Sequence, residues 1–439
     1  MNVVPLHARK NTNRQRPASA SPIIAAIDVG STKICCLIAE VRTTRNRTFG
    51  GQKTQTLKIL GVGHQAAAGI RCGSVVDIDQ AEIAIRLVVD AAERMAGISI
   101  EQVYINVSGG RPRCETVTGE TRLGAGRETT TADIERAIQI AGSRIQAPNR
   151  VVLHTTPVQY SLDDVPGIRD PRGMFGEKLG VDLNVVTVEP GPLRNLSLAI
   201  ERCHLDLAGL VIAPYAAGRS VLVEDEMTMG VTCIDMGGGT TSVSVFHEGN
   251  LVFADVIPIG GHHITNDIAR GLSTPIAHAE RMKTLYGSAI PSVLDDRELL
   301  SVPLVGERGT DTVYKIPRSM LTNIVRPRLE ETFELIKQRL DASGVAHLGG
   351  RRMVLTGGAC QMSGARELAG QILDRHIRLG FPQPLTGMPE AIRTPNFAVA
   401  SGLLAYALKP DASIVVTPSK EQASSGYMRR VSRWLRESF

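Results

Sequence analysis

Long apolar runs are missing from this sequence of 439 residues. No stretch of about 18 consecutive apolar residues occurs, which speaks against a helix that crosses a bilayer. The first residues also lack the apolar centre of a signal peptide, so the chain is expected to stay in the cytoplasm. Aromatic residues are scarce, at 4% with a single tryptophan against 43% hydrophobic residues overall. That balance fits an α/β protein whose cores are built from Ala, Val, Ile and Leu. The seven cysteines (Cys35, Cys36, Cys72, Cys114, Cys203, Cys233 and Cys360) are odd in number and form no C-x-x-C pair. Several sit in strand-like apolar runs, where a free thiol behaves as a small hydrophobe, so neither a disulfide framework nor a zinc site is expected. The body also lacks basic excess. Of the net +5, the first 20 residues carry +4 (Arg9, Lys10, Arg14, Arg16) and residues 427–439 carry +3, leaving the rest near −2. Nucleic acid is therefore not an expected partner.

The length suggests two to four compact units at roughly 150 residues each. Residues 1–20 mix Asn, Arg, Gln, Pro and Ser and read as a disordered basic tail. From Ser21 an apolar run, the polar turn Asp28-Val-Gly-Ser-Thr-Lys33 and a second apolar run predict a β-hairpin, with Thr43 to Thr56 as a long hairpin loop. Helical spacing from Asp79 to Met95, a strand at Val103–Val107, a helix from Thr131 and a strand over Val151–Tyr160 predict a compact inserted α+β subdomain. The hairpin plan then recurs about 200 residues after the first, at Asp235-Met-Gly-Gly-Gly-Thr-Thr241 between apolar runs. Two copies of one unit predict two similar lobes facing each other across a cleft. The expected division is a first lobe over 21–78 and 161–206, an insert over 79–160 and a second lobe over 207–408. A Pro/Ser/Lys-rich linker over 409–426 follows.

Glycine-rich turns let backbone N–H groups approach phosphate, and a carboxylate at the start of the turn can hold Mg²⁺ directly or through water. Either turn alone would be a weak signal, because Asp-Gly hairpins are common; the repeated pair points to a nucleotide. A third glycine turn, Thr356-Gly-Gly-Ala-Cys360, follows a strand and could admit a base or ribose. Glu280 and Lys283 fall three apart on one helical face, a spacing that by itself more often marks a solvated pair. His262-His263 has no evident further ligands for a metal.

Two phosphate turns and an adenosine turn in this order resemble the actin, Hsp70 and sugar-kinase ATPase superfamily. The likeness sharpens in Gly209–Leu222, Glu224–Gly230, Val256–Ala269 and the tail Val431–Phe439. Together these segments resemble the FtsA family of bacterial cell-division proteins over essentially residues 21–439. The resemblance implies a bilobed actin-like ATPase fold in which a differently placed subdomain replaces one of actin's. It implies Gly30, Ser31, Thr32 and Lys33 at the first phosphate loop and Gly237, Gly238, Gly239 and Thr240 at the second. Gly357 and Gly358 fall at the adenosine loop, with Glu280 and Lys283 at the ribose and base. Asp28 and Asp235 take the acidic positions around Mg²⁺, Asp235 with a metal- or water-positioning role in any hydrolysis. ATP and Mg²⁺ are thus the implied cofactors. Hydrolytic actins resembling MreB carry Glu-Pro at the first interlobe connection, where this chain has Ala213-Pro214, which implies at most a slow ATPase.

The same resemblance implies head-to-tail polymerisation, tethering of the FtsZ ring through the FtsZ C-terminal tail, and recruitment of later division proteins. The setting would be the cytoplasmic face of the inner membrane, at the division septum. Arg326, Arg328 and Glu330 lie near where the FtsZ tail docks in that family, although a solvated helix face is the simpler reading of their charges. At about 100° per residue, Trp434, Val431, Leu435, Met428 and Phe439 form one arc of residues 427–439, and Arg429, Arg430, Arg433 and Arg436 the opposite one. Such a helix suits the surface of anionic lipid. A sugar kinase would share the phosphate loops but not explain this tail, an Hsp70-type chaperone would need a further domain, and a PilM-type pilus scaffold shares the fold.

Overall fold

The computed structural model describes residues 21–45, 53–124, 126–306 and 313–409. Two five-stranded sheets form its frame. The first has the strand order Asp206–Ile212, Gln102–Val107, Ile23–Val29, Lys33–Arg45, Lys53–Ala66. The second has the order Asn250–Ile257, Thr241–His247, Val231–Met236, Arg352–Thr356, His376–Leu379. In each, an antiparallel hairpin pairs through its first strand with a parallel neighbour, so Ile27 faces Ile105 and Asp235 faces Thr356. The architecture is that of an actin-like ATPase fold.

Both sheets are covered on both faces, which is why their strands read as near-continuous apolar runs. Successive residues go to opposite sides. Cys35, Leu37 and Ala39 enter one core while Ile34, Cys36 and Ile38 enter another. The core on Ile34's side is closed by helices Ile78–Ala96 and Pro190–Arg202. Asp77 caps the first of these by accepting from the Gln80 N–H, and Gly97 ends it in the left-handed conformation. The core on Leu37's side holds helices Ala213–Val221 and Ala398–Leu408, and it continues into the second sheet through Cys233 and Phe246. The outer core of the second lobe is filled by helices Gly261–Gly271, Ile276–Tyr286, Arg318–Ala342 and Ala365–Leu373.

The inserted subdomain is a four-stranded antiparallel sheet, Arg113–Arg122, Lys178–Val188, Val151–Leu162, Val165–Ile168, with helix Thr131–Ser143 packed on it over a separate small core. This corrects the expected limits of 79–160. Helix Ile78–Ala96 and strand Gln102–Val107 belong to the first lobe, because the strand pairs with Ile23–Val29 and the helix covers that sheet. The insert instead reaches to Val188, since Lys178–Val188 is its central strand. The second lobe does not span 207–408 either. Strand Asp206–Ile212 edges the first sheet, and helix Ala398–Leu408 returns to pack on it. Periodicity gives the type of an element but not the sheet it joins. The hairpin of Lys33–Arg45 with Lys53–Ala66 is also tighter than the Thr43–Thr56 loop expected, because its strands stay paired from Lys33↔Ala66 out to Arg45↔Lys53. Arg326, Arg328 and Glu330 fall within the helix Arg318–Ala342, which carries Pro327 inside it. The basic tail 1–20, residues 410–426 of the linker and the proposed membrane segment 427–439 lie outside the described residues.

Candidate functional site

The two repeated turns close in the same way. Gly30 N–H donates to the Lys33 carbonyl at 3.0 Å, and Gly237 N–H donates to the Thr240 carbonyl at 2.9 Å. Each turn projects from the end of its sheet into the cleft, and there the two meet. A Cβ added at Gly239 would stand 2.5 Å from Ser31 Oγ, and one at Gly238 would strike the Thr32 side chain. The two turns are thus in direct contact, and a group placed between them would require them to part.

Asp28 is the next-to-last residue of strand Ile23–Val29 and Asp235 of strand Val231–Met236. Asp28 is buried, and burial pushes its carboxyl up to about 6 against the pull of Lys33. Asp235 keeps a partly accessible edge, yet enclosure by protein pushes it up to about 7, with the charge of Asp28 adding to the rise. Among the described residues no group of three or more His, Cys, Asp or Glu is arranged to hold a metal. Two poorly solvated carboxylates with no third protein ligand fit Mg²⁺, which keeps several waters and takes the rest of its shell from phosphate oxygens.

The third turn joins the second. Gly357 adopts φ +87°, a conformation costly for other residues, and a Cβ there would strike Asp235. Gly261 and His262, opening helix Gly261–Gly271, donate to the carbonyls of Gly237 and Gly238 at 2.9 and 2.7 Å. Gly358 begins a short 3₁₀ turn, and its neighbour Ala359 lies 3.3 Å from where a Cβ on Gly261 would be. Lys283 reaches the same spot, donating to Glu280 at 2.6 Å, Thr265 Oγ1 at 2.9 Å and the Gly261 carbonyl at 3.1 Å. Burial works against the Glu280 carboxylate, but its bonds to Lys283 and Thr265 outweigh it and lower the pKa. Glu280 and Lys283 are thus tied into the cleft wall, where spacing alone favoured a solvated pair. His263 uses Nδ1 to accept from the Gly260 N–H at 3.1 Å, a capping bond.

Lys33 closes the first turn with its carbonyl, but its ammonium is engaged by residues from the far end of the chain. Its ammonium donates to the Asn396 carbonyl at 2.5 Å and stands 3.4 Å from the Phe397 ring centroid. Asn396, Phe397, Thr265 and the Gly260–Gly261 pair line this region without having been named as site residues from sequence, although Gly260, Gly261 and Thr265 fall in the Val256–Ala269 segment that carried the resemblance. Only the paired glycines offered a local signal. At the interlobe connection Ala213 opens the helix Ala213–Val221 and is buried.

Arg326, Arg328 and Glu330 lie away from this cleft, on helix Arg318–Ala342. Arg328 is held by Asp267 at 2.6 and 3.1 Å and by Glu331. Arg326 pairs with Glu330 at 2.7 Å one turn on.

Two family models match the chain, one described as cell division protein FtsA over residues 232–402 and one as the SHS2 domain inserted in FtsA over residues 109–187. The second range agrees with the insert drawn from strand pairing. Relatives described as cell division protein FtsA include one from Rhizobium meliloti (strain 1021), 43% identical over 426 residues and 96% of each chain. Another, from Escherichia coli (strain K12), is 30% identical over 432 residues, 96% of this chain and 99% of the relative. Among solved structures, the PilM-PilN type IV pilus biogenesis complex aligns with a TM-score of 0.61 at 16% identity, over 88% of this chain and 99% of that one. MreB5 of Spiroplasma citri bound to ADP aligns with a TM-score of 0.50 at 12% identity, over 89% and 97%.

Proposed function

The chain belongs to the FtsA family of cell-division proteins, and from that premise we propose that it binds ATP with Mg²⁺ between its lobes and works as a membrane-bound polymer. The observation that carries the nucleotide reading is the meeting of two identically built glycine turns over Asp28 and Asp235. Gly30–Lys33 and Gly237–Thr240 would take the phosphates, Asp28 and Asp235 would hold Mg²⁺ through water, and Gly357, Gly358, Glu280 and Lys283 would take the adenosine. Mg²⁺ supplies charge neutralisation there. With Ala213 at the interlobe connection, nucleotide acts chiefly as a conformational ligand, and hydrolysis is slow.

Residues 427–439 dock the chain on anionic lipid at the cytoplasmic face of the inner membrane. A single short helix binds reversibly, so head-to-tail polymerisation adds avidity by joining many tails. At the septum the polymer tethers FtsZ through its C-terminal tail and recruits later division proteins. Of the two arginines, Arg326 is better suited to meet that tail. Its bond to Glu330 is a surface pair of about 0–1 kcal/mol and readily exchanged, whereas Arg328 is committed to Asp267. The pilus-scaffold and kinase readings are not favoured, because the relatives at 30–43% identity over nearly the full chain are division proteins and the likeness to PilM is one of fold.

Co-sedimentation of FtsZ with anionic vesicles tests the whole reading. FtsZ should pellet only when this protein and ATP are both present. Deletion after Gly426 should abolish pelleting of both proteins, and Arg326→Glu should reduce only that of FtsZ. FtsZ left in the supernatant under every condition would contradict it.

A further inference from the structure

Lys33 closes the first glycine turn, yet its ammonium is engaged by residues from the far end of the chain. Asn396 gives it a main-chain carbonyl and Phe397 an aromatic face. Phe397 is wedged edge-on against His64, with centroids 5.8 Å apart, and is largely buried. The Asn396 side chain faces the third turn, accepting from Gln361 at 2.5 Å and lying 3.2 Å from where a Cβ on Gly358 would be. One dipeptide therefore touches the first turn through Lys33 and the third through Gln361 and Gly358. It also stands immediately before helix Ala398–Leu408, which packs on the first sheet and against helix Ala213–Val221.

We infer that Asn396 and Phe397 form a latch that holds the Lys33 ammonium until the phosphates of a nucleotide take it, an inference that rests on the nucleotide reading of this cleft. An ammonium has three donors but occupies one place. A neutral carbonyl and a ring face are weaker partners than a phosphate oxygen, which forms a charge-assisted bond. Binding of phosphate must therefore be drawn against the latch, and binding of the nucleoside alone is not. Release of Lys33 frees the residues that lead into helix Ala398–Leu408, so the nucleotide state is felt where that helix begins.

The test compares full-length wild type with Phe397→Leu, which keeps an apolar side chain and removes the ring, by competition titration with ATP, ADP and adenosine in Mg²⁺. Phe397→Leu should bind ATP and ADP about threefold or more tighter, the scale of a lost cation–π contact, with adenosine unchanged. In a Lys33→Met background the same substitution should leave ATP affinity where it was, closing a double-mutant cycle. Wild-type hydrogen exchange gives a reading independent of any variant: ATP should speed exchange in a peptide covering 393–400, and adenosine should not. Equal or weaker ATP binding by a folded Phe397→Leu, a gain that survives Lys33→Met, or unchanged exchange at 393–400 would overturn the latch alone. A wild type that binds none of the three ligands would remove the nucleotide reading and the latch with it.

Discussion

Asp28 raises the carboxyl of Asp235 from across the cleft, each residue standing at the turn end of the first strand in one of two hairpins of the same plan. Two acids brought together in this way hold protons that a bound divalent cation would have to displace. Their carboxyls stand at about 6 and about 7, against an ordinary value of 3.8. The sign follows from proton counts. Between about pH 4 and 7 the folded state binds more protons than the unfolded one, so these groups make the nucleotide-free fold less stable as pH rises through that window.

Mg·ADP affinity should run the other way. From pH 7.5 to 5.5 it should weaken by on the order of tenfold or more, because both carboxylates must be ionised to serve the cation. Titration calorimetry at the two pH values would show it. A slope no steeper than that of Asp235→Asn would mean that Asp235 is not the titrating group.

The proposed slow turnover rests on Ala213. The buried methyl at the start of the interlobe helix offers no acceptor for a water. Steady-state phosphate release should stay below about 1 s⁻¹, the lower end of ordinary turnover. A rate well above that would require a base elsewhere in the cleft.

Beside the interlobe connection, Arg378 grips Glu226 at 2.5 and 2.7 Å and donates to the Val221 carbonyl at 2.9 Å, tying the second sheet to the end of the interlobe helix. Burial raises the Glu226 carboxyl, but the bonds from Arg378 outweigh it and the net shift is downward. The pair's contribution is therefore present above the ordinary carboxylate value and is lost below it, as pH falls through the lowered pKa of the folded state. Arg378→Ala strands a largely buried carboxylate and should cost about 2 kcal/mol in urea unfolding, the figure for a broken buried pair reduced for the arginine's exposure. Glu226→Gln in the same background should recover part of that loss.

The two hairpins and their aspartates were legible in the sequence because each is a local pattern of apolar run, Asp-x-Gly turn and apolar run. Lobe boundaries were not. The amphipathic spacing of Ile78–Ala96 specifies a helix with one buried face, and only the parallel pairing of Gln102–Val107 with Ile23–Val29 shows which sheet that face covers. Asn396 and Phe397 carry no motif at all, since their contact with Lys33 spans 363 residues of chain. Glu280 and Lys283 matched an ordinary surface pair until Thr265 and the Gly261 carbonyl were seen beside them.

The most direct measurement is titration of the full-length protein with a fluorescent ATP analogue in Mg²⁺, for wild type, Gly238→Asp and Gly97→Ala. Gly238→Asp drives a charged side chain into Thr32 where the turns meet, whereas a Cβ on Gly97 meets nothing within 4 Å. The left-handed φ of 69° at Gly97 makes Gly97→Ala a control for modest backbone strain, of about 1 kcal/mol, remote from the cleft. Saturable one-to-one binding by wild type and Gly97→Ala, with at least a tenfold loss in a Gly238→Asp protein of wild-type circular dichroism, is the result this account predicts. Undiminished binding by folded Gly238→Asp, or no binding by wild type, would contradict it.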